Sequence, residues 1–145
     1  MEKLLAGPMS DTDANAVGSL ALAHIGDAVF ELLVRKYLID SGYRNVKILH
    51  KHTVAKVSAG AQAASAAVLL PLLDEAESAV YMRGRNTRLH SCPKNADRAD
   101  YQTATALESL FGYLYLTGRA ERAAELFFAI LADMNAEKDG AVTEG

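Results

Sequence analysis

Between Ala21 and Leu33 the sequence reads ALAHIGDAVFELL. In helical register Leu22, Ile25, Val29 and Leu32 form one apolar stripe, while Leu20, Ala23, Phe30 and Val34 lie on the side away from it. A helix that is apolar around most of its circumference must be covered on more than one side. Either it is the central helix of its own subunit, or its second side meets another copy, most simply across a two-fold axis. Within this segment stand Gly26 and Asp27, both disfavoured in helix interiors, the glycine by about 1 kcal/mol relative to alanine. A helix that carries both gains something elsewhere.

Helical periodicity continues through the rest of the chain, and no alternating run of strand length interrupts it, so the fold class is all-α. Asp11, Thr12 and Asp13 are N-cap candidates for a helix that Ser41-Gly42 stops. Val46 to Leu70 is an alanine-rich helical region with a break near Ser58 to Gly60 and an end marked by Pro71, and Asp74 to Met82 is a shorter piece. Ala99 to Leu116 and Ala120 to Met134 are two further helices on either side of Thr117-Gly118. Gly84 to Asn95 (GRNTRLHSCPKN) is a polar loop, long for a connection inside a compact domain. One domain over residues 1–136 is expected, with a polar, flexible tail over 137–145. No stretch approaches the roughly 18 apolar residues of a membrane span, and MEKLLAGPMS is too short for a signal peptide, so a cytoplasmic chain without a membrane partner is expected. The single cysteine, Cys92, forms no internal disulfide and is a weak zinc ligand, and beside His90 it lacks the acid that nucleophilic catalysis would need.

The net charge of −3 hides two basic segments, Arg44 to Lys56 and Arg83 to Arg98, each of net charge +4. Such patches are the footprint of a phosphate-binding surface, or simply solvated faces. In the helix from Ala99 the core stripe is Ala104, Leu107, Phe111 and Leu114. Glu108 sits on a neighbouring stripe with Tyr101, Thr105, Gly112 and Tyr115. Glycine thus accompanies a carboxylate twice, at Gly26-Asp27 and at Glu108 with Gly112. Glycines let helix backbones approach closely, so if these two regions cross, Asp27 and Glu108 converge. Two buried carboxylates repel, and a shared proton or a divalent cation relieves them; alternatively each pairs with an arginine. Mg²⁺ suits an oxygen-lined site with only one or two carboxylates, completed by water and phosphate oxygens.

IGDAVFE, followed later by ALESLFGYLYLTG, resembles the paired signature of the ribonuclease III catalytic domain. LAHIGDAVFE, KVSAGAQA, RGRN with PKNAD, and YQTATALESLFGYLYL resemble the Mini-III branch of that family in order and spacing, from about Val17 to Phe128. The resemblance implies a ribonuclease III endonuclease-domain-like helical bundle, homodimeric and without a separate double-stranded-RNA-binding domain. It implies an Mg²⁺-dependent endoribonuclease that cuts double-stranded RNA to leave 5′-phosphate and 3′-hydroxyl ends, each subunit cutting one strand. The substrate so implied is a ribosomal (23S) RNA precursor, with a ribosomal protein as a candidate partner.

By the same resemblance Asp27 and Glu108 are the metal-binding, catalytic carboxylates. Longer family members carry further carboxylates four residues before that aspartate and three before that glutamate. Here Ala23 and Thr105 stand at those positions, a departure shared by the Mini-III branch that leaves the number of metal ions open. His24, Glu31 and Thr105 are candidates for support around the metal ligands, with Glu31 equally readable as a surface residue. A-form RNA is read through shape, phosphates and 2′-hydroxyls, so Arg83, Arg85, Asn86, Arg88, Lys94 and Asn95 of the loop, with Lys56 and Gln62, are the candidate RNA contacts. Gly84 is read as permitting close backbone approach there. Two other readings are a non-catalytic RNA-binding or ribosome-assembly protein and a structural helical oligomer. The presence of both carboxylates disfavours the former, and the RGRN and PKNAD segments disfavour the latter.

Overall fold

Residues 7–89, Cys92, Lys94 and 97–144 are described by the computed structural model, with side chains as far as Asn135. These residues form α1 (Asp11–Ala16), α2 (Ser19–Asp40), α3 (Val46–Val57), α4 (Ala59–Leu69), α5 (Glu75–Arg85), α6 (Arg98–Leu116) and α7 (Ala120–Glu144), with a 3-10 turn at Leu70–Leu72. No strand occurs among them, as the periodicity predicts. No single helix among them is long and apolar enough to cross a membrane.

Local chemistry sets most boundaries. Ser10, rather than the aspartates that follow it, caps α1 by accepting from the Asp13 amide, and Gly18 at φ 93° separates α1 from α2 where a single helix was expected. Ser58 ends α3 and starts α4: its extended backbone breaks the helix, and its hydroxyl accepts from the Ala61 amide. Asp74 and Glu77 form a capping box at the start of α5. That helix continues to Arg85, so Arg83, Gly84 and Arg85 lie in its last turn and not in the loop the sequence suggests. The helical backbone of α7 runs beyond Met134, where the apolar periodicity ends.

α6 is the central element, with Ala104 to Leu107 and Ser109 to Leu114 all buried. Phe30, Val34 and Leu38 of α2 join Leu107, Leu110, Phe111 and Leu114 of α6 and Leu126, Phe127 and Ile130 of α7 in one core. The Phe30 ring meets Phe111 and Phe127 edge-on, with centroids 5.3 and 5.8 Å away. Both faces of α2 divide between core and surface, Leu22 of the first stripe being buried with Phe30 and Val34 while Leu20 is exposed. Phe30 and Val34 point into the core, whereas Ile25 and Val29 are half-buried and Leu32 is 67% exposed. The buried face is centred near Gly26, a position that counts for nothing in a tally of apolar side chains, because its burial comes from backbone contact.

Candidate active site

α2 and α6 touch through their backbones. A Cβ on Gly26 would fall 1.6 Å from the Glu108 carbonyl oxygen, and one on Gly112 would fall 2.0 Å from the Leu22 carbonyl oxygen. Only glycine permits this approach at either position, which accounts for the pairing of each glycine with a carboxylate. Ser109 secures the crossing further along, its hydroxyl within hydrogen-bond reach of the Ser19 carbonyl at 2.8 Å and of its own helix at Thr105.

Beside the crossing opens a cleft of about 430 Å³, whose walls include Asp27, Glu108, His24, Thr105, Gln62 and Tyr101. Leu20, Val57, Ala59, Leu89 and Ala104 supply apolar wall between them. Asp27 stands exposed at the rim, and Glu108 is half-buried. Burial pushes the Glu108 carboxyl up to about 8, and the charge of Asp27 adds to the shift. Burial also raises Asp27, with Glu31 adding and His24 opposing. Among the described residues neither carboxylate has an ion-pair partner, so the arginine-paired alternative finds no support. No cluster of three or more His, Cys, Asp or Glu residues suited to a metal occurs among them either. Asp27 and Glu108 therefore offer oxygen donors alone, a set suited to a hard cation that keeps water and phosphate in the rest of its shell.

The other sequence-derived candidates are dispersed. Thr105, His24 and Gln62 share the cleft with the carboxylates. Glu31 instead pairs with Arg35 at 2.8 Å. Lys56 lies with its ammonium 5.8 Å from the centre of the Tyr37 ring and is not among the residues that wall the cleft. Arg83 donates to Asn15 at 2.5 Å, and Arg85 to Gln102 at 3.3 Å. Asn86 is the C-cap of α5. Arg88 and Lys94 are exposed, and Asn95, like His90, lies outside the described residues. The close approach at Gly84 is to α6, where a Cβ would meet the Ser109 hydroxyl at 2.9 Å and the Ala106 Cα at 3.0 Å, and is not made toward a ligand. Tyr101 was legible only as a stripe neighbour of Glu108, yet it lines the cleft; its spacing of one turn from Thr105 and two from Glu108 carries that signal.

Residues 20–119 match the family model for the ribonuclease III domain. A Mini-ribonuclease 3 from Symbiobacterium thermophilum is 48% identical over 110 residues, covering 76% of this chain and 85% of that one. Another from Brevibacillus brevis is 47% identical over 114 residues, covering 79% and 85%. A solved structure of a Fusobacterium nucleatum protein superposes with a TM-score of 0.73 at 32% identity, covering 80% of this chain and 94% of that one. Identity at this level over most of both chains, on a fold whose central crossing brings the signature aspartate and glutamate into one cleft, shows that the chain belongs to the Mini-ribonuclease 3 family of endoribonucleases, built on a ribonuclease III domain.

Proposed function

We propose that this protein is an Mg²⁺-dependent nuclease that cuts double-stranded RNA, working as a homodimer on a ribosomal RNA precursor such as that of 23S RNA. The observation that carries this reading is the convergence of Asp27 and Glu108 in one cleft, neither of them ion-paired among the described residues. Their oxygens fit Mg²⁺, and the rest of its shell falls to water and the RNA phosphate. When bound there, the cation supplies charge neutralisation at the phosphate and activation of the attacking water. Glu108 must give up its proton before it can act as a ligand, because burial holds it protonated at neutral pH in the free cleft. Thr105 stands one turn before Glu108 on the same wall and offers a neutral hydroxyl where longer relatives carry a further acid. Exposed Arg88 and Lys94 can take up phosphates directly, and Arg83 and Arg85, each giving one nitrogen to Asn15 or Gln102, keep further guanidinium donors for RNA. The reading predicts strand scission to 5′-phosphate and 3′-hydroxyl ends, one strand per subunit.

Incubation of the purified protein with long double-stranded RNA tests it. Cleavage is expected with Mg²⁺, none with chelator, and none from Asp27→Asn or Glu108→Gln variants that keep wild-type helix content. Turnover like that of the parent in either variant would refute the assigned site.

A further inference from the structure

We propose that Gln62 reads a ribose 2′-hydroxyl beside the cleaved phosphodiester, and so makes the cleft select RNA over DNA. This inference rests on the reading of the cleft as a double-strand ribonuclease site. Gln62 is 1% exposed yet lines the cleft that holds Asp27 and Glu108. Its Nε2 is buried without a hydrogen-bond partner, the one such side-chain atom among the described residues. Buried amides are nearly always satisfied, and an orphaned donor is costly, so a free donor on the wall of a substrate cleft points to a partner that arrives with the substrate.

The surroundings limit what that partner is. Val57, Ala59, Leu89 and Ala104 of the cleft wall have apolar side chains with no acceptor to offer, and none of the acceptors elsewhere on the wall bonds to Nε2. A phosphate oxygen would accept from this donor too, but it would use only the donating end of the amide. A neutral amide, with one donating and one accepting end, matches a neutral hydroxyl that also donates and accepts. The 2′-hydroxyl is such a group, is displayed in the wide minor groove of A-form RNA, and distinguishes RNA from DNA. The backbone of Gln62 is held in place from behind: it lies one turn inside α4, its main-chain N–H donates to the Ser58 carbonyl at 2.9 Å, and Ser58 itself caps the helix. The terminal torsion of a glutamine is soft, so a half-turn about it exchanges Nε2 with Oε1 without moving the helix.

The test combines one protein substitution with one substrate substitution. A short duplex of fixed sequence is prepared with a single 2′-deoxynucleotide at each position in turn, and kcat/KM for cleavage in Mg²⁺ and affinity in Ca²⁺ are measured for wild type and Gln62→Leu. At one position near the cut, wild type is expected to lose roughly three- to tenfold, the size of one neutral hydrogen bond, while Gln62→Leu is indifferent there. On the all-ribose duplex the variant should be slower by the same factor, and it should melt no earlier than wild type because the orphaned donor is gone. Wild type indifferent to every deoxy position, or equal losses in both proteins at the sensitive one, would overturn the proposal. Should Gln62→Leu fail to fold, Gln62→Met, which keeps the length of the side chain without its amide, takes its place in the same comparison. A protein that binds duplex RNA without cutting it overturns the nuclease reading instead, and the affinity scan then still judges Gln62.

Discussion

Glu108 connects the site to the stability of the fold. Its carboxyl is pushed up to about 8 in the native state, first by burial and then by Asp27, from an ordinary value of 4.5. Between those values the native protein binds a proton that the unfolded chain has released, so stability falls as pH rises. The metal-free protein should therefore be more stable near pH 5 than near pH 8, by roughly 2 kcal/mol once the shift is discounted for water entering the cleft. Mg²⁺ should restore much of this loss at pH 8, and Glu108→Gln should flatten the pH dependence. Urea melts at the two pH values check this, and a wild-type slope retained in Glu108→Gln would assign it to another group. Glu77 provides the contrast. Burial alone would raise it, but Arg122, which donates to both of its oxygens at 2.9 and 3.0 Å, and the Asp74 amide together hold it below the usual range. A buried carboxylate with an arginine is a structural clasp; one without is available to a ligand.

The crossing of α2 and α6 makes a site from two unremarkable helices. Gly26→Ala would improve local helix propensity, but its Cβ would collide with the Glu108 backbone, and the helices would have to move apart. A net loss of about 2 kcal/mol or more is expected, as for other overpacked cores, together with loss of cleavage beyond what unfolding explains, because Asp27 and Glu108 separate. Gly60→Ala in α4 is the control. Its nearest contact is an ordinary 3.8 Å to the Asp100 carboxylate, so it should be neutral or stabilising by up to about 1 kcal/mol. Thermal melts and cleavage rates of the two variants decide the matter, and a Gly26→Ala protein as stable and active as its parent would contradict the crossing. The glycines were legible in the sequence as anomalies. Close backbone approach was legible as their reason, but that the two regions do cross was not, since a close contact between positions 26 and 108 leaves no trace in either local pattern.

At the scale of the molecule, α2 leaves apolar side chains to solvent on one side, Leu32 at 67% and Ile39 at 47% exposed, with Ala21 and Ala28 on the same side. The proposed homodimer would cover this side and set two clefts along one RNA duplex. Light scattering at micromolar concentration should give a dimer mass, and Leu32→Glu should shift it toward monomer without loss of helix content. A monomeric parent would remove the dimer from the proposal.

Helix class, the break at Ser58, the span of α6 and the singular character of Asp27 and Glu108 were all determined by the sequence itself. Each is a local property: apolar period, capping side chains and helix breakers act within a turn or two of the residues that carry them. Tertiary structure alone decided which side of α2 enters the core, because α6 packs against the face that holds Gly26. It also committed Arg83 to Asn15, turned Gly84 against Ser109, and left Gln62 with a donor unmet on the cleft wall. These are relations between surfaces far apart along the chain. No residue type or spacing encodes them, because they exist only once packing has brought the helices together.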